Sequence, residues 1–273
     1  MEDIYNENYF RINYTSEYAY RFVAQWKKLD SRTVKVNHYL KVPDGTEKLE
    51  KTTEGTITFG TDEETVTAIA SPEPAGTFAG YIFDESDDRN TLEVSVTNDG
   101  TTDTIELNLY YKPTVLTVSK TVTGYNLEPD KEFTFTISST SSMEANQIYI
   151  KKADTTELLT FTDNKATFTL KKDESVEISC LPTEMIYTVT ETDPGTNFKA
   201  SYKIDNGNKT EGNEASFTMS VTGTTDIEFT NTSTISPPVT GIRDNHSDTL
   251  SFAFLPVCIA LILIGCYYRK KLR

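Results

Sequence analysis

The sequence predicts a mainly β chain: a first β module, then an Ig-like β-sandwich, then a C-terminal transmembrane helix. Short segments in which apolar and polar residues alternate recur from residue 32 to residue 232, and turn residues separate them. Such alternation is typical of half-buried strands, and several short strands in succession favour a sandwich. An uninterrupted apolar run follows near the C-terminus, and it has the length of a membrane-spanning helix.

The composition favours an extracellular surface protein over a nucleic-acid-binding protein. The chain of 273 residues has a net charge of −15, although four basic residues lie within its last five positions. An acidic exterior repels nucleic acid, so we expect none as a partner. Cys258 and Cys266 lie in the apolar run, which leaves Cys180 without a partner for an intramolecular disulfide outside it.

Residues 1–31 are predicted to be the C-terminal remnant of an upstream β repeat. Aromatic and polar residues alternate between Tyr18 and Trp26, and the segment Tyr20–Lys27 resembles the closing strand of the listerial internalin-type B repeat. The alternative is that this strand belongs to the next domain. The first residues have neither a basic start nor an apolar core, so they do not form a secretory signal peptide. We therefore expect the chain to be the C-terminal part of a longer protein.

Residues 32–113 are predicted to form one β-rich module. Apolar residues alternate from Val34 to Val42 and again from Ile105 to Tyr111, and a short helical segment is expected around Thr61–Ala70. The order of the motifs His38-Tyr39-Leu40, Phe78-Ala79-Gly80-Tyr81 and Leu109-Tyr110-Tyr111-Lys112 resembles the mucin-binding-protein (MucBP-like) repeats. This resemblance implies a β-grasp-like fold and the binding of a host glycan. A spacer repeat on a stalk is the alternative.

Residues 114–232 are predicted to form the β-sandwich. Thr and Ser occupy the outward positions of its strands, and Val, Ile, Phe and Tyr occupy the inward ones. The predicted strands are Leu116–Thr123, Glu132–Ile137, Ala166–Leu170, Val176–Cys180, Tyr187–Thr192, Lys199–Ile204, Ala215–Val221 and Ile227–Asn231.

Three polar residues of this domain occupy positions that the alternation assigns to the core. Lys120 has the parity of its apolar neighbours on the first strand, and Glu191 and Asn231 have the inward parity on two later strands. An unpaired buried charge costs several kcal/mol, so the three side chains are expected to meet. Desolvation favours the neutral amine, which is a nucleophile toward the Asn231 carbonyl, and a protonated Glu191 can polarise that carbonyl. The expected product is a Lys120–Asn231 isopeptide bond.

The same segments resemble the isopeptide-forming domains of Gram-positive pilins and collagen-adhesin B-type modules. The resemblance is carried by the segments Val118–Gly124, Phe133-Thr134-Phe135, Tyr187–Glu191 and Phe229–Thr232. It implies that Lys120 and Asn231 are the linked partners and that Glu191 is the catalyst. Alternatives are Asp193 as catalyst, Lys112 or Lys131 as donor, and edge positions whose polar ends reach solvent.

The C-terminal segment is predicted to anchor the chain. A linker, residues 233–249, precedes an apolar run, residues 250–268, which would span about 28 Å as a helix. The basic tail, residues 269–273, favours a cytoplasmic C-terminus and an external position for everything before it. Before any cleavage, the membrane is therefore a partner through this helix.

The linker contains a pentapeptide that resembles the cell-wall sorting signal of Gram-positive surface proteins, Leu-Pro-x-Thr-Gly. Its residues are Pro237, Pro238, Val239, Thr240 and Gly241, with proline where the family has leucine. The resemblance implies cleavage after Thr240 by a sortase and transfer of the new carboxyl group to a peptidoglycan amine. The implied location is the cell wall at the cell surface, after a transient membrane anchor.

These observations predict an adhesin stalk rather than a turnover enzyme. No spacing of Cys and His in the sequence suits zinc, and no glycine-rich phosphate loop is present, so neither a metal nor a cofactor is expected. The isopeptide reaction would occur once per molecule. The expected partners are a sortase, a peptidoglycan amine, and a host glycan or matrix protein. The competing classes are a sortase-polymerised pilus subunit and an uncleaved single-pass membrane protein.

Overall fold

A computed structural model describes residues 30–60, 64–100, 102–125, 127–128, 130–143 and 147–237. The regular secondary structure of these residues is entirely β, in agreement with the predicted class. No helix in this described part of the chain is long and apolar enough to cross a membrane. The predicted transmembrane segment (residues 250–268), the basic tail (residues 269–273) and most of the predicted upstream remnant (residues 1–31) lie outside the described residues.

The N-terminal module, residues 31–113, is built around a mixed β-sheet. Its strands are β1 (Ser31–Lys41), β2 (Glu47–Thr58), β3 (Thr65–Ile69), β4 (Tyr81–Phe83), β5 (Glu93–Thr97) and β6 (Ile105–Pro113). The sheet has the order β2-β1-β6-β4, and β3 pairs with β5 in a separate antiparallel ribbon. The first and last strands, β1 and β6, are parallel neighbours at the centre. Whether the module belongs to the β-grasp group stays a prediction.

The helical segment expected around Thr61–Ala70 is wrong, because the structure has strand β3 there. Thr65, Val66, Thr67 and Ile69 are β-branched, which favours an extended chain. Ala68 is buried, whereas its two neighbours in the strand are exposed, as strand alternation requires.

The C-terminal sandwich, residues 114–233, consists of two sheets that face each other. Its strands are β7 (Val115–Thr123), β8 (Phe133–Ser139), β9 (Tyr149–Lys152), β10 (Thr155–Leu158), β11 (Lys165–Leu170), β12 (Ser175–Ser179), β13 (Ile186–Glu191), β14 (Phe198–Ile204), β15 (Thr210–Glu211), β16 (Glu214–Thr218) and β17 (Thr224–Ser233). One sheet has the order β10-β9-β12-β7-β17-β14-β15, and the other has the order β11-β8-β13-β16. Phe135 of one sheet packs edge-on against Phe229 of the other, with ring centroids 5.2 Å apart.

Strand alternation explains most of this sandwich. In β11 every second residue is buried, and the polar residues between them are exposed. Each of the eight predicted strands corresponds to an observed one within a few residues at either end. The β9–β10 hairpin and the two-residue strand β15 were not predicted, because short segments give too little periodicity to be recognised.

A single residue, Thr114, connects the two modules, and it is fully buried. Its amide donates to the Gly80 carbonyl at 2.9 Å, and its carbonyl accepts from the Cys180 amide at 3.0 Å. Its hydroxyl donates to the Leu181 carbonyl at 2.7 Å. Since these bonds bind the connection on both sides, β6 leads into β7 without a flexible linker.

Candidate functional site

The structure brings Lys120, Glu191 and Asn231 together in the core of the C-terminal sandwich. Lys120 on β7 and Asn231 on β17 belong to neighbouring parallel strands, in which Lys120 lies opposite Phe229. Glu191 is the last residue of β13 and reaches them from the facing sheet. Their exposed fractions are 1%, 0% and 0%, respectively. All three side chains therefore have the inward orientation that the alternation predicted.

The local strand geometry explains why these polar side chains cannot turn outward. In β7 the buried residues are Leu116, Val118, Lys120 and Val122, so Lys120 is held on the core side by its neighbours. Turning it outward would require a register shift of one residue, and that shift would expose every apolar residue of the strand. The same reasoning applies to Asn231, whose neighbours Ile227 and Phe229 on the same face are buried.

One carboxylate oxygen connects the other two side chains. The Lys120 Nζ lies 2.8 Å from Glu191 Oε1, and the Asn231 Nδ2 donates a hydrogen bond to the same oxygen at 2.7 Å. The Lys120 contact has the distance of an ion pair but not the angles of a hydrogen bond, so the amine has no hydrogen-bond acceptor within the described residues. Glu191 Oε2 and Asn231 Oδ1 also lack a hydrogen-bond partner there.

The surroundings of Lys120 disfavour its charged form. Burial lowers the pKa of Lys120 from 10.5 to about 8, against the attraction of the Glu191 carboxylate, which raises it. The positive charge of Lys131 lowers the pKa of Lys120 further. At pH 7 roughly a tenth of such amines are neutral, compared with well under a thousandth of exposed lysines. A nucleophilic amine is thus accessible at neutral pH.

Lys131 and Phe133 are neighbours of the cluster whose roles the sequence did not reveal. Lys120 Nζ lies 4.7 Å from the centroid of the Phe133 ring, and Lys131 Nζ lies 5.3 Å from the same centroid. Lys131 Nζ also donates to the Pro194 carbonyl at 2.7 Å and lies 4.7 Å from the Phe198 ring centroid. These contacts hold a second positive charge next to the site. The only sequence signal for it was that Lys131 lies on the same parity as Phe133.

The alternative residues lie in different surroundings. The Lys112 ammonium belongs to the N-terminal module, where it lies 3.3 Å from an Asp84 carboxylate oxygen. The Asp193 carboxylate accepts a hydrogen bond from the Gly195 amide at 2.8 Å in an exposed turn. Lys131, as described above, is bound to a backbone carbonyl. None of these three has the contact geometry of the Lys120, Glu191 and Asn231 cluster.

Acidic side chains in the described residues do not form a metal site. No group of three or more His, Cys, Asp or Glu residues in the described ranges has metal-binding geometry. In the Asp84–Asp88 loop, Lys41 Nζ lies 2.7 Å from Asp84 and 2.8 Å from Asp87. Arg89 adds a further contact to Asp87 at 2.7 Å. The two carboxylates that point into this loop are thus balanced by basic side chains.

The pentapeptide Pro237-Pro238-Val239-Thr240-Gly241 lies at the end of the described chain. Pro237 is exposed, and the other four residues lie outside the described residues. The sorting signal therefore stays a prediction from the sequence.

Comparison with known proteins gives one family and one sequence relative. The sequence profile of a domain of unknown function (DUF7601) matches residues 114–233, which is the C-terminal sandwich. The pilus tip adhesin Cpa of Streptococcus pyogenes is 35% identical to this chain over 123 residues, which are 45% of this chain and 17% of that protein. The chain thus matches less than a fifth of the length of that relative.

Two solved structures show a weaker similarity. The major pilin from Streptococcus pyogenes aligns with 75% of this chain and 98% of its own length, at 16% identity and a TM-score of 0.44. The pilus-presented adhesin Cpa aligns with 52% of this chain and 34% of its own length, at 25% identity and a TM-score of 0.35. Both TM-scores are low, so the protein class rests on the sequence relationship.

The sequence relationship supports a surface protein of the pilin and adhesin class. That sequence relative is named as an adhesin rather than as an enzyme, which agrees with the prediction that the chain is not a turnover enzyme. A position at the cell surface follows from the same relationship.

Proposed function

We propose that this chain is the wall-proximal end of a Gram-positive surface protein and that its C-terminal sandwich is a covalently locked stalk domain. The lock is an isopeptide bond between Lys120 and Asn231, formed with the help of Glu191. The observation that carries this proposal is the complete burial of these three side chains, with Lys120 and Asn231 both contacting the same Glu191 oxygen. The relationship to a pilus tip adhesin supports the surface location.

The proposed reaction begins with proton transfer inside the ion pair. The Lys120 ammonium passes a proton to Glu191, which leaves a neutral amine beside a carboxylic acid. The Oδ1 and Nδ2 atoms of the Asn231 amide have nearly the same shape, so the amide can rotate by half a turn. This rotation places Oδ1 next to Glu191 Oε1, the oxygen that accepts a hydrogen bond from Nδ2 in the structure. The acid then donates a hydrogen bond to this carbonyl and polarises it.

The bond then forms between the Lys120 Nζ and the Asn231 Cγ. Nζ attacks Cγ, and Glu191 transfers a proton from Nζ to the departing Nδ2, which leaves as ammonia. The products are a secondary amide and one ammonia, and Glu191 keeps the proton that came from the ammonium. A buried ion pair with unpaired atoms is thereby replaced by a neutral core, which removes an unfavourable desolvation cost.

The proposed bond would join the first and last strands of the sandwich. Tension along the chain would then pass from β7 to β17 through covalent bonds, and the strands between them would carry no load. An extracellular domain that has no disulfide would gain its mechanical resistance in this way.

The anchoring step follows from the predicted sorting signal. A sortase would cleave between Thr240 and Gly241 and join the Thr240 carboxyl group to a peptidoglycan amine. Asn231 precedes Thr240 by few residues, so the wall attachment would pull almost directly on the cross-link. Incubation of the chain with a sortase and an amine nucleophile tests this step, and an intact Thr240–Gly241 bond would contradict it.

Intact mass spectrometry of the folded full chain tests the isopeptide bond. The expected mass is lower than the sequence mass by one ammonia, and Lys120→Ala and Glu191→Ala should each restore the full mass. Lys131→Ala and Lys112→Ala are matched controls, because they remove the alternative donors and should leave the deficit in place. An unmodified mass for the folded chain would overturn the proposal.

A peptide map must accompany the mass, because a second reaction also releases ammonia. Asn206 precedes Gly207, and an Asn-Gly pair can cyclise with the same loss. Proteolysis should therefore yield a branched peptide that contains both Lys120 and Asn231. A deficit located at Asn206 instead would assign the lost ammonia to cyclisation.

A pilus subunit is the second candidate function. The 35% identity to a pilus tip adhesin favours it, since a pilus protein can be a component of a polymer. This function predicts ladders of high molecular weight in wall extracts of the producing cells. A single wall-linked species would favour the stalk of a monomeric adhesin, whose ligand would be a host glycan or matrix protein.

A further inference from the structure

The N-terminal module has its first and last strands side by side and parallel. β1 begins at Ser31 and β6 ends at Pro113, so the chain enters and leaves the module at opposite ends of this strand pair. Tension applied to the two ends therefore pulls β1 and β6 along each other in opposite directions. This direction is a shear, parallel to the strands.

A shear load acts on many hydrogen bonds at once. The β1–β6 ladder has seven paired positions, from Val34 opposite Ile105 to Leu40 opposite Tyr111. The bonds of a parallel ladder are evenly spaced, and sliding one strand strains all of them together. An antiparallel pair pulled at its open end instead breaks one bond at a time. The same number of bonds consequently resists a much higher force in shear.

Side chains along β1 and β6 add to this resistance. Leu107 and Leu109 are fully buried, and Val34 and Leu40 are 6% exposed. The Asn37 amide donates to the Asn108 side chain at 3.1 Å, and the His38 Nδ1 lies 2.9 Å from the Tyr111 hydroxyl. Sliding by one residue would move each buried side chain to the other face, so the ladder must break before it can slip.

The N-terminal module is also in series with the proposed cross-link. β6 leads through Thr114 into β7, and β7 carries Lys120. The ladder between β7 and β17 is parallel as well, but there the isopeptide bond would carry the load. Tension along the described chain would therefore meet a covalent link in the sandwich, whereas in the N-terminal module it is resisted only by the non-covalent contacts of the β1–β6 ladder.

We propose that the N-terminal module is a reversible mechanical fuse, a shear-loaded domain that unfolds before the locked sandwich can be stretched. The claim that the module bears a load in the cell depends on the proposed function as a wall-anchored stalk. The resistance of the β1–β6 ladder to shear (the shear clamp) depends only on the geometry of these two strands. When the fuse opens, residues 31–113 lengthen the stalk and limit the tension on the wall. When the load falls, the module refolds, since no covalent bond has broken.

Single-molecule force spectroscopy of the full chain tests this proposal. Ser31→Cys and Thr234→Cys provide exposed attachment points, and Cys258→Ser and Cys266→Ser remove competing thiols. The expected trace has one unfolding step of about 250 Å. This is the length of residues 31–113 when fully extended, at about 3.4 Å per residue, minus the end-to-end length of the folded β1–β6 pair. No second step should follow before the tether detaches, and the step should reappear after relaxation.

A change of attachment point provides the matched control. Ser31 lies directly opposite Thr58 in the antiparallel β1–β2 pair, so handles at Ser31→Cys and Thr58→Cys unzip the same module. The unzipping force should be several-fold lower than the force measured in shear. Equal forces in the two geometries would overturn the shear clamp.

A covalent mimic provides the second control. Asn37 and Asn108 lie opposite each other on β1 and β6, so Asn37→Cys with Asn108→Cys can form a disulfide across the ladder. Oxidation should shorten the 250 Å step to a small fraction of its length, and reduction should restore it. A full-length step in the oxidised variant would show that the load does not pass through the β1–β6 ladder.

The two proposals fail in different ways in this experiment. Lys120→Ala should add a second step of about 370 Å from the sandwich and leave the first step unchanged. If the unmodified chain already shows both steps, the isopeptide bond is absent and the fuse still stands. If the chain shows neither step, or only the longer one, the proposal that the N-terminal module unfolds first is wrong. The isopeptide bond is then tested by intact mass spectrometry alone.

Discussion

At the scale of single residues, the unusual feature is a buried lysine that has no hydrogen-bond acceptor in the part of the chain that the structure describes. Lys120 is 1% exposed, and its ion pair with a described residue is the contact with the Glu191 oxygen at 2.8 Å. A buried ion pair adds little stability when its remaining polar atoms are unpaired, and here Glu191 Oε2 and Asn231 Oδ1 are unpaired within the described chain. Such an arrangement adds little stability, which is what the proposed reaction of these side chains would lead one to expect.

The pH dependence of cross-link formation should reveal the proton state of the cluster. The reactive pair, neutral Lys120 with Glu191 carrying the proton, holds the same number of protons as the ion pair, so the ratio of these two forms does not change with pH. Because burial holds the pKa of Lys120 near 8, the cluster loses its proton above that pH and Glu191 no longer acts as an acid. We therefore expect a rate that is flat near pH 7 and falls above about pH 8.

The rate can be measured by refolding chain recovered unfolded from inclusion bodies and following the mass with time. Lys131→Met should lower the plateau and move the decline to higher pH, because the neighbouring positive charge is lost. Lys131→Arg keeps that charge and should leave the profile unchanged. A rate that rises through pH 8 in the unmodified chain would mean that Glu191 acts only as a base.

At the scale of elements, the proposed bond links strands that are far apart in the sequence and adjacent in space. β7 and β17 run parallel with nine paired positions, from Val115 opposite Thr224 to Thr123 opposite Thr232. Thr123 and Thr232 also share a side-chain hydrogen bond of 3.2 Å at the end of the ladder. A bond between Lys120 and Asn231 therefore closes nearly the whole sandwich into one covalent loop.

Loss of the cross-link should lower the stability of the sandwich by about 4 to 5 kcal/mol. The magnitude is that of a disulfide closing a loop of roughly 100 residues, since both bonds restrict the unfolded chain in the same way. Glu191→Gln keeps the size of the side chain and removes the acid, and urea unfolding of the folded chain measures the difference. Lys120→Met cannot form the cross-link, so Glu191→Gln in this background measures the effect of the substitution without any loss of the cross-link. An equal effect in both backgrounds would contradict the prediction.

At the scale of the whole molecule, the junction joins the two modules by close backbone packing. Gly80 has φ +77°, and a Cβ at this position would overlap the backbone of Cys180. On the other side, a Cβ on Gly223 would overlap the side chain of Ile82. Glycine is needed at position 80 because the backbones of the two modules approach too closely there for a side chain, whereas at position 223 the end of the Ile82 side chain could shift.

Gly80→Ala should loosen the junction, whereas Gly76→Ala should not. Both glycines have positive φ, +77° and +87°, so alanine at either position costs about 1–2 kcal/mol of backbone strain. A Cβ on Gly76 meets its nearest atom, the Thr183 hydroxyl, at 3.7 Å, which is ordinary contact. Small-angle scattering should therefore show a larger radius of gyration for Gly80→Ala alone. Equal radii for both variants would contradict a tight junction.

The sequence alone determined which side of the long strands of the C-terminal sandwich faces the core. Alternation is a local property, because successive side chains of a strand point to opposite faces whatever lies next to it. It therefore indicated that Lys120, Glu191 and Asn231 point inward before any partner was known. The same local signal was too short for β15 and was misread at Thr65–Ile69, where a helix was expected and a strand is found.

Only the tertiary structure decided which strands are neighbours. Parallel pairing of β1 with β6 and of β7 with β17 joins segments separated by most of a module, and no local pattern specifies such a partner. The shared Glu191 oxygen depends on the distance between two facing sheets, which packing of the whole core sets. The sequence pattern thus indicates which residues point inward. The meeting of Lys120, Glu191 and Asn231, and the parallel pairing of β1 with β6, depend on contacts between residues far apart in the sequence.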